Sequence, residues 1–261
     1  MKRLIPVFLA LVLLLSACSS KKSVLPATLD SDGTPQSESQ QEVQLQAMPP
    51  AEKAEQNVNT EPDWLSLYAP VFNAYQDFFA LVDAYRQGND STVDLTNSDY
   101  DLTDNLSLYL ESNAKPGFCL MDLDGNGVPE LIIGLITDDD FYSRIVAGLF
   151  CIDDGGVPEK VFTSFTRSRY CLSSNGGFIY KGSGGAAYSD YYSCTFSGNV
   201  LNIDYGVFSD GENGFFYCEN GNRETAAKTE RISQAQFSEY YDKLDSMTVN
   251  PPEYTILEIN H

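Results

Sequence analysis

The sequence predicts an α+β domain: an antiparallel β-meander sheet packed with an N-terminal amphipathic helix and a C-terminal helix. Three observations carry this expectation. Apolar and aromatic residues recur at helical spacing from Trp64 to Tyr85, short strand-like runs crowd residues 116–221, and a capping-box pattern opens a last helical run at Ser233. The strand-like runs lie too close together for crossover helices, which argues against a parallel sheet.

The chain opens with "MKRLIPVFLALVLLLSAC", in which Lys2 and Arg3 precede an apolar run from Leu4 to Leu15. This is the anatomy of a secretory signal peptide over residues 1–17. The run is shorter than the roughly 20 residues a membrane span needs. Its end, Leu15-Ser16-Ala17-Cys18, resembles the bacterial lipobox. That resemblance implies that Cys18 receives a diacylglyceryl group and becomes the mature N-terminus. Two acyl chains anchor a protein stably, so the chain is expected to be exported and lipid-anchored to the outer face of the bacterial cell membrane.

Residues 18–62 hold the lipidated cysteine and a stretch of Ser, Gln, Glu, Pro and Ala with few large apolar side chains. Such a segment buries too little surface to offset its conformational entropy. It reads as a disordered tether with a reach of about 35–40 Å.

Residues 63–261 read as a single α+β domain. Trp64, Tyr68, Val71, Phe72, Tyr75, Phe78, Phe79, Val82 and Tyr85 form one helical face, Asp63 or Ser66 can cap its start, and Gly88 suits its end. Pro70 implies a kink or a short turn before the main helix. A weaker helical stretch spans Asp101 to Glu111. Then come "GFCLM", "ELIIGLI", "RIVAGLFCI", "EKVFTSF", "RYCLS", "GFIYKG", "YSCTFS", "VLNIDYGVF" and "FFYCEN", separated by turn formers such as "DDGG", "SNGG" and "DGENG". Ser233 with Gln236 opens the last helix, Pro251 and Pro252 end it, and "EYTILEI" is left as an edge strand.

The formal charge is -21, and loss of Lys2 and Arg3 with the signal makes the mature chain more acidic still. A surface of this sign repels polyanions and gathers cations, which excludes nucleic acid as a partner. Five cysteines remain in the body, Cys119, Cys151, Cys171, Cys194 and Cys218, with no C-x-x-C pair. Spacing therefore gives no zinc site, and their strand-forming neighbours suggest small buried hydrophobes, with one or two disulfides left open. The single histidine is the last residue, His261, so catalysis by a Ser-His-Asp or Cys-His set is disfavoured.

The sharpest chemical pattern is "DLDGNGVPE", Asp122 to Glu130. Side-chain oxygens at alternate positions, here Asp122, Asp124 and Asn126, turn inward around one point. Gly127 permits the tight turn, the Val128 carbonyl can contribute, and Glu130 supplies a further carboxylate. Hard oxygen ligands of this kind suit Ca²⁺ in a structural role. The pattern is not a full EF-hand, because the twelfth position is Ile133 and the following "ELIIGLI" is strand-like. The loop is similar to the D-x-D-x-[DN]-G-x-x-[DE] loops of FG-GAP and related repeats, and that resemblance implies calcium held in a β-loop-β setting. Gly156-Val157-Pro158-Glu159 echoes Gly127 to Glu130 without the alternating acids, as shared turn chemistry or a degenerate hairpin repeat.

More broadly, the lipobox, the polar tether, Asp122 to Leu131 and "GSGGAAY" at Gly182 to Tyr188 resemble surface lipoproteins of anaerobic Gram-positive bacteria. The resemblance implies a location and a layout but no activity. A second ligand face is suggested by Tyr188, Tyr191 and Tyr192 with Arg167 and Arg169, since tyrosines can stack on sugar rings. The reading is thus a surface binding or interaction lipoprotein with a structural calcium site, the partner being a glycan or a protein. A carbohydrate or peptidoglycan binder is the alternative, and a cell-wall enzyme using paired carboxylates stands third.

Overall fold

The computed structural model describes residues 63–88, 100–185 and 187–258, all within the second of two units into which the chain divides, Asn59–His261. The stretches expected to be signal peptide and tether, Cys18 and His261 lie outside the described residues.

The aromatic stripe becomes two helices, α1 (Trp64–Leu67) and α2 (Ala69–Arg86). Asp63 caps α1 by accepting from the Ser66 amide. Pro70 stands in the first turn of α2, where a missing N–H costs nothing, so it starts a helix instead of kinking one. Gly88, just past the C-cap, turns the chain away with φ +73°. The third helix, α3 (Asn105–Ser112), starts later than the apolar spacing from Asp101 suggests. Asp101 has φ +42°, a left-handed conformation that a helix interior does not tolerate.

The strands are β1 (Lys115–Met121), β2 (Glu130–Ile136), β3 (Ile145–Ile152), β4 (Pro158–Thr163), β5 (Ser168–Leu172), β6 (Phe178–Gly185), β7 (Tyr188–Ser197), β8 (Val200–Asp210), β9 (Phe215–Glu219), β10 (Lys228–Ile232) and β11 (Thr255–Ile256). They form one sheet in the order β10-β9-β8-β7-β6-β5-β3-β2-β1-β11, antiparallel throughout. The domain is α+β with a large antiparallel sheet, as the short spacing of its strands requires. One edge of β3 is shared: its first residues pair with β5 and its last with β4, so the sheet branches there. Between β10 and β11 runs α4 (Gln234–Ser246), opened by a complete capping box between Ser233 and Gln236. β10, "KTERI", has no apolar alternation and is almost wholly exposed. Charge on an edge strand discourages pairing with other chains, which is why hydrophobic periodicity does not reveal it.

Helices cover one face of the sheet. Tyr75, Phe78 and Phe79 of α2 and Leu108 and Tyr109 of α3 pack with Leu131, Ile133 and Leu135 of β2. Further along the same face, Phe237, Tyr240 and Leu244 of α4 pack with Ile179, Tyr191 and Val207. The opposite face closes on itself. Ile132, Phe178, Tyr192, Phe208 and Cys218 share one buried cluster with Cys119, Met121 and Ile203 packed against it. The tip of the β7–β8 hairpin reaches the β1–β2 connection, Gly198 to Asp124, although β3, β5 and β6 lie between them in the sheet, which requires a strongly curled sheet. Tyr254 helps seal the curl by lying over Gly117 and Gly134, register partners on β1 and β2: a Cβ at Gly134 would collide with its ring, and one at Gly117 with its Cβ and with the Ile136 side chain.

Candidate functional site

The opening motif forms the connection between β1 and β2, whose last register pair is Met121 with Glu130. Its side chains fold inward onto its own amides. One Asp122 oxygen accepts from the amides of Gly125 (2.9 Å) and Asn126 (3.1 Å), and the other accepts from Gly127 (3.0 Å). Asp124 accepts from Asn126 (3.1 Å), and Asn126 Oδ1 accepts from Val128 (2.6 Å). Gly125 and Gly127 make this winding cheap, with φ of +76° and +86°. The result is that carboxylate oxygens of Asp122, Asp124 and Glu130 all lie within 4.8 Å of one another, a cluster that could hold a metal ion.

Two distant segments brace the loop. The second Asp124 oxygen accepts from the amide of Gly198 (3.1 Å), at the tip of the β7–β8 hairpin. Asn199 beside it donates to the Ile152 carbonyl (3.0 Å), so the tips of three hairpins converge. Gly198 and Asn199 both have positive φ, the requirement of a tight type I′ turn. From the helical side, the Tyr68 hydroxyl lies 3.0 Å from the Pro129 carbonyl and 3.3 Å from that of Phe150. Neither Gly198 nor Tyr68 carries a sequence signal for this role, because each reaches the loop only through the curl of the sheet.

Glu130 is the unusual member. Its side chain is 1 % exposed and accepts from the Leu123 amide (2.8 Å), while Asp122 is exposed and Asp124 half-buried. Burial pushes the Glu130 carboxyl up from its ordinary 4.5 to about 7; the Leu123 N–H offsets part of this, and the charges of Asp124 and Asp122 add to it. A carboxyl with a folded pKa above its unfolded one holds a proton that the unfolded chain has already released. Its contribution is complete below about 4.5 and lost as pH rises to about 7. In calcium-free buffer Glu130→Gln is therefore expected to gain stability over the parent across that window and to hold the gain above it. Urea midpoints at pH 4.5, 6 and 8 check this, and a constant difference would contradict it.

The echo at Gly156 to Glu159 occupies the equivalent turn between β3 and β4, where Asp153 accepts from Gly155 (2.9 Å) and Val157 (2.7 Å). "TDDD", Thr137 to Asp140, is a surface turn in which Asp139 accepts from Phe141 and Tyr142. "GSGG" ends β6 in a bulge, with Gly185 at φ +135°.

The five body cysteines are all free, and all but Cys119 are buried. Burial pushes their thiols up, those of Cys119, Cys151 and Cys218 to about 11, which leaves them protonated and unreactive.

The suggested tyrosine face does not form as one surface. Tyr191 and Tyr192 are consecutive on β7 and project to opposite sides. Tyr191 packs on Tyr241 of α4 (4.6 Å between ring centroids), whereas Tyr192 stacks on Tyr180 (5.6 Å) inside the curl, and Tyr188 is exposed. Arg167 is exposed in the β4–β5 turn, and Arg169 lies 4.7 Å over the Phe141 ring on the helical side.

Inside the curl the stacking continues as a ladder across four strands: Phe162 on Tyr170, Tyr170 beside Tyr180, and Tyr180 on Tyr192. This ladder lines a cavity of about 590 Å³. Its wall is a polar network that sequence reading did not single out. Arg223 donates from Nε and Nη2 to Asp190 Oδ1 (2.9 and 2.8 Å), and the Tyr192 hydroxyl donates to the same oxygen (2.7 Å). No protein family, curated protein or solved structure matches the chain.

Proposed function

We propose that the chain is an exported, lipid-anchored binding protein of the cell surface, attached through Cys18, whose β1–β2 loop holds a structural calcium ion. The observation that carries the metal assignment is the convergence of three carboxylates within 4.8 Å in a tight β connection, one of them buried. Like charges at that spacing repel unless a cation sits among them. The donor set is oxygen only, Asp122, Asp124 and Glu130 with Asn126 Oδ1 and the Val128 carbonyl as further ligands, which favours Ca²⁺ over softer metals. Binding closes the loop and leaves the rest of the surface to a glycan or protein partner. Calorimetric titration of the domain with CaCl₂ is expected to give a dissociation constant of about 10⁻⁴ to 10⁻³ M. The heat should vanish in Asp122→Ala/Asp124→Ala; identical titrations of parent and variant reject the site.

A second reading, a carbohydrate or peptidoglycan binder, is favoured by the aromatic cavity with its Asp190–Arg223 pair. Cavities of a few hundred Å³ with convergent polar groups suit small ligands. Retention on cell-wall glycan that is lost in Tyr170→Ala would support it, and equal retention of both proteins would count against it.

A further inference from the structure

Bases are scarce in this chain and acids abundant, 16 Lys and Arg against 37 Asp and Glu. An arginine here has many carboxylates to choose from, and Arg86 and Arg223 each take one, Asp83 at 3.5 Å and Asp190 at 2.8 Å. Arg144, Arg167, Arg169 and Arg231 form no ion pair among the described residues, and two of these four, Arg144 and Arg169, come together. Neither of the two forms a side-chain hydrogen bond among the described residues, yet both line one cavity of about 390 Å³ on the helical side of the sheet.

The topology brings them there. Arg169 on β5, Lys181 on β6 and Tyr191 on β7 are successive register partners and stand side by side across the sheet. Arg144 immediately precedes β3, and α4 closes the far side with Tyr241 and Asp245. Lys181 is spoken for by Asp245 at 2.6 Å, and Asp140 is the remaining carboxylate of the lining. Two guanidinium groups thus face one free carboxylate. Phe141 covers the face of the Arg169 guanidinium and leaves its edge for hydrogen bonding.

A second observation points to a missing partner. Arg169 Nε and Thr248 Oγ1, on two residues that line this cavity, are buried without any hydrogen-bond partner. Buried donors are nearly always satisfied, so two orphaned polar atoms beside one cavity mark hydrogen-bonding capacity that the fold leaves unused there.

We propose that this cavity binds a small organic oxyanion, a carboxylate or phosphate carried on a sugar-sized ring, with Arg144 and Arg169 clasping the charged group and the packed Tyr191–Tyr241 pair walling one side of the ring. Planar guanidinium groups match both oxyanions through paired N–H donors. The cavity volume suits a single ring. The site is separate from the calcium loop and does not depend on it.

Calorimetry on the folded domain, at low salt because added ions screen such pairs, tests this with inorganic phosphate, glucuronate and neutral glucose as probes. At least one oxyanion should bind, glucose should not, and Arg144→Gln and Arg169→Gln should each weaken binding about tenfold or more. Arg144 makes no contact that the fold needs among those described, so Arg144→Gln keeps the test valid if Arg169→Gln, which loses the Phe141 stack, fails to fold. Preference for phosphate over glucuronate, or the reverse, identifies which oxyanion the site takes. No heat from either oxyanion at about 10 mM, affinity unchanged in Arg144→Gln, or glucose binding as well as glucuronate would each overturn the proposal.

Discussion

Asn105→Ala is expected to destabilise the domain by about 3–5 kcal/mol, because it strips partners from several buried groups at once. Asn105 is fully buried at the first position of α3. Its Nδ2 donates to the carbonyls of Ala147 (2.9 Å) and Ser164 (2.7 Å), and its Oδ1 accepts from the Tyr75 hydroxyl (2.8 Å). One side chain therefore ties α2 and α3 to β3 and to the end of β4, at the point where the sheet branches. Tyr75 is itself fully buried, and burial holds its phenol far above the ordinary range. Removing the amide leaves that hydroxyl with nothing to donate to. Tyr75→Phe in the Asn105→Ala background should recover part of the loss, since it deletes the orphaned group along with its partner. Urea unfolding of the single and double variants measures both effects. A single-variant loss below about 1 kcal/mol would show that the network is not what fixes the helices to the sheet.

Calcium is expected to raise the melting temperature of the domain by roughly 3–10 °C at about 10 mM. The expectation follows from mass action: at a ten- to hundredfold excess over a dissociation constant of about 10⁻³ to 10⁻⁴ M, a ligand that binds only the folded state adds about 1.4–2.7 kcal/mol. A domain of this size shifts by roughly 2–4 °C per kcal/mol. Magnesium should do far less, because it holds to octahedral geometry and gives up water reluctantly. Asp122→Asn is the informative variant. It removes a charge and keeps an acceptor for the amides of Gly125 and Asn126 but sets an NH2 donor against the Gly127 amide, so the calcium response should disappear with only a modest fall in the calcium-free melting point. Asp124→Ala should lower the calcium-free melting point as well, through loss of the Gly198 contact. A parent domain whose melting temperature is the same in CaCl₂ and in chelator would remove the structural role assigned to the ion.

Much of the architecture was legible because it rests on neighbours in sequence. The aromatic stripe of α2, the Ser233 capping box of α4 and the glycine-marked hairpins each encode a local geometry through spacing. The inward fold of Asp122, Asp124 and Asn126 belongs to the same class, since most of their acceptors are filled by amides only two to five residues away. β10 was not legible, because a charged edge strand takes its conformation from β9 and not from an apolar pattern of its own. The tyrosine face failed for a different reason: consecutive residues on a strand must diverge, and only the register of β7 decides which of them meets α4.

What the amino-acid sequence determined by itself was the class of fold, the turns, and the set of oxygen donors placed at alternate positions in one loop. Only the tertiary structure decided that Glu130 would be buried against that loop, that Gly198 would reach across to Asp124, and that Arg144 and Arg169 would share a cavity. The physical reason is range. Backbone preference and side-chain period act over a few residues, whereas burial and charge convergence depend on how a curled sheet brings together segments that the chain keeps far apart.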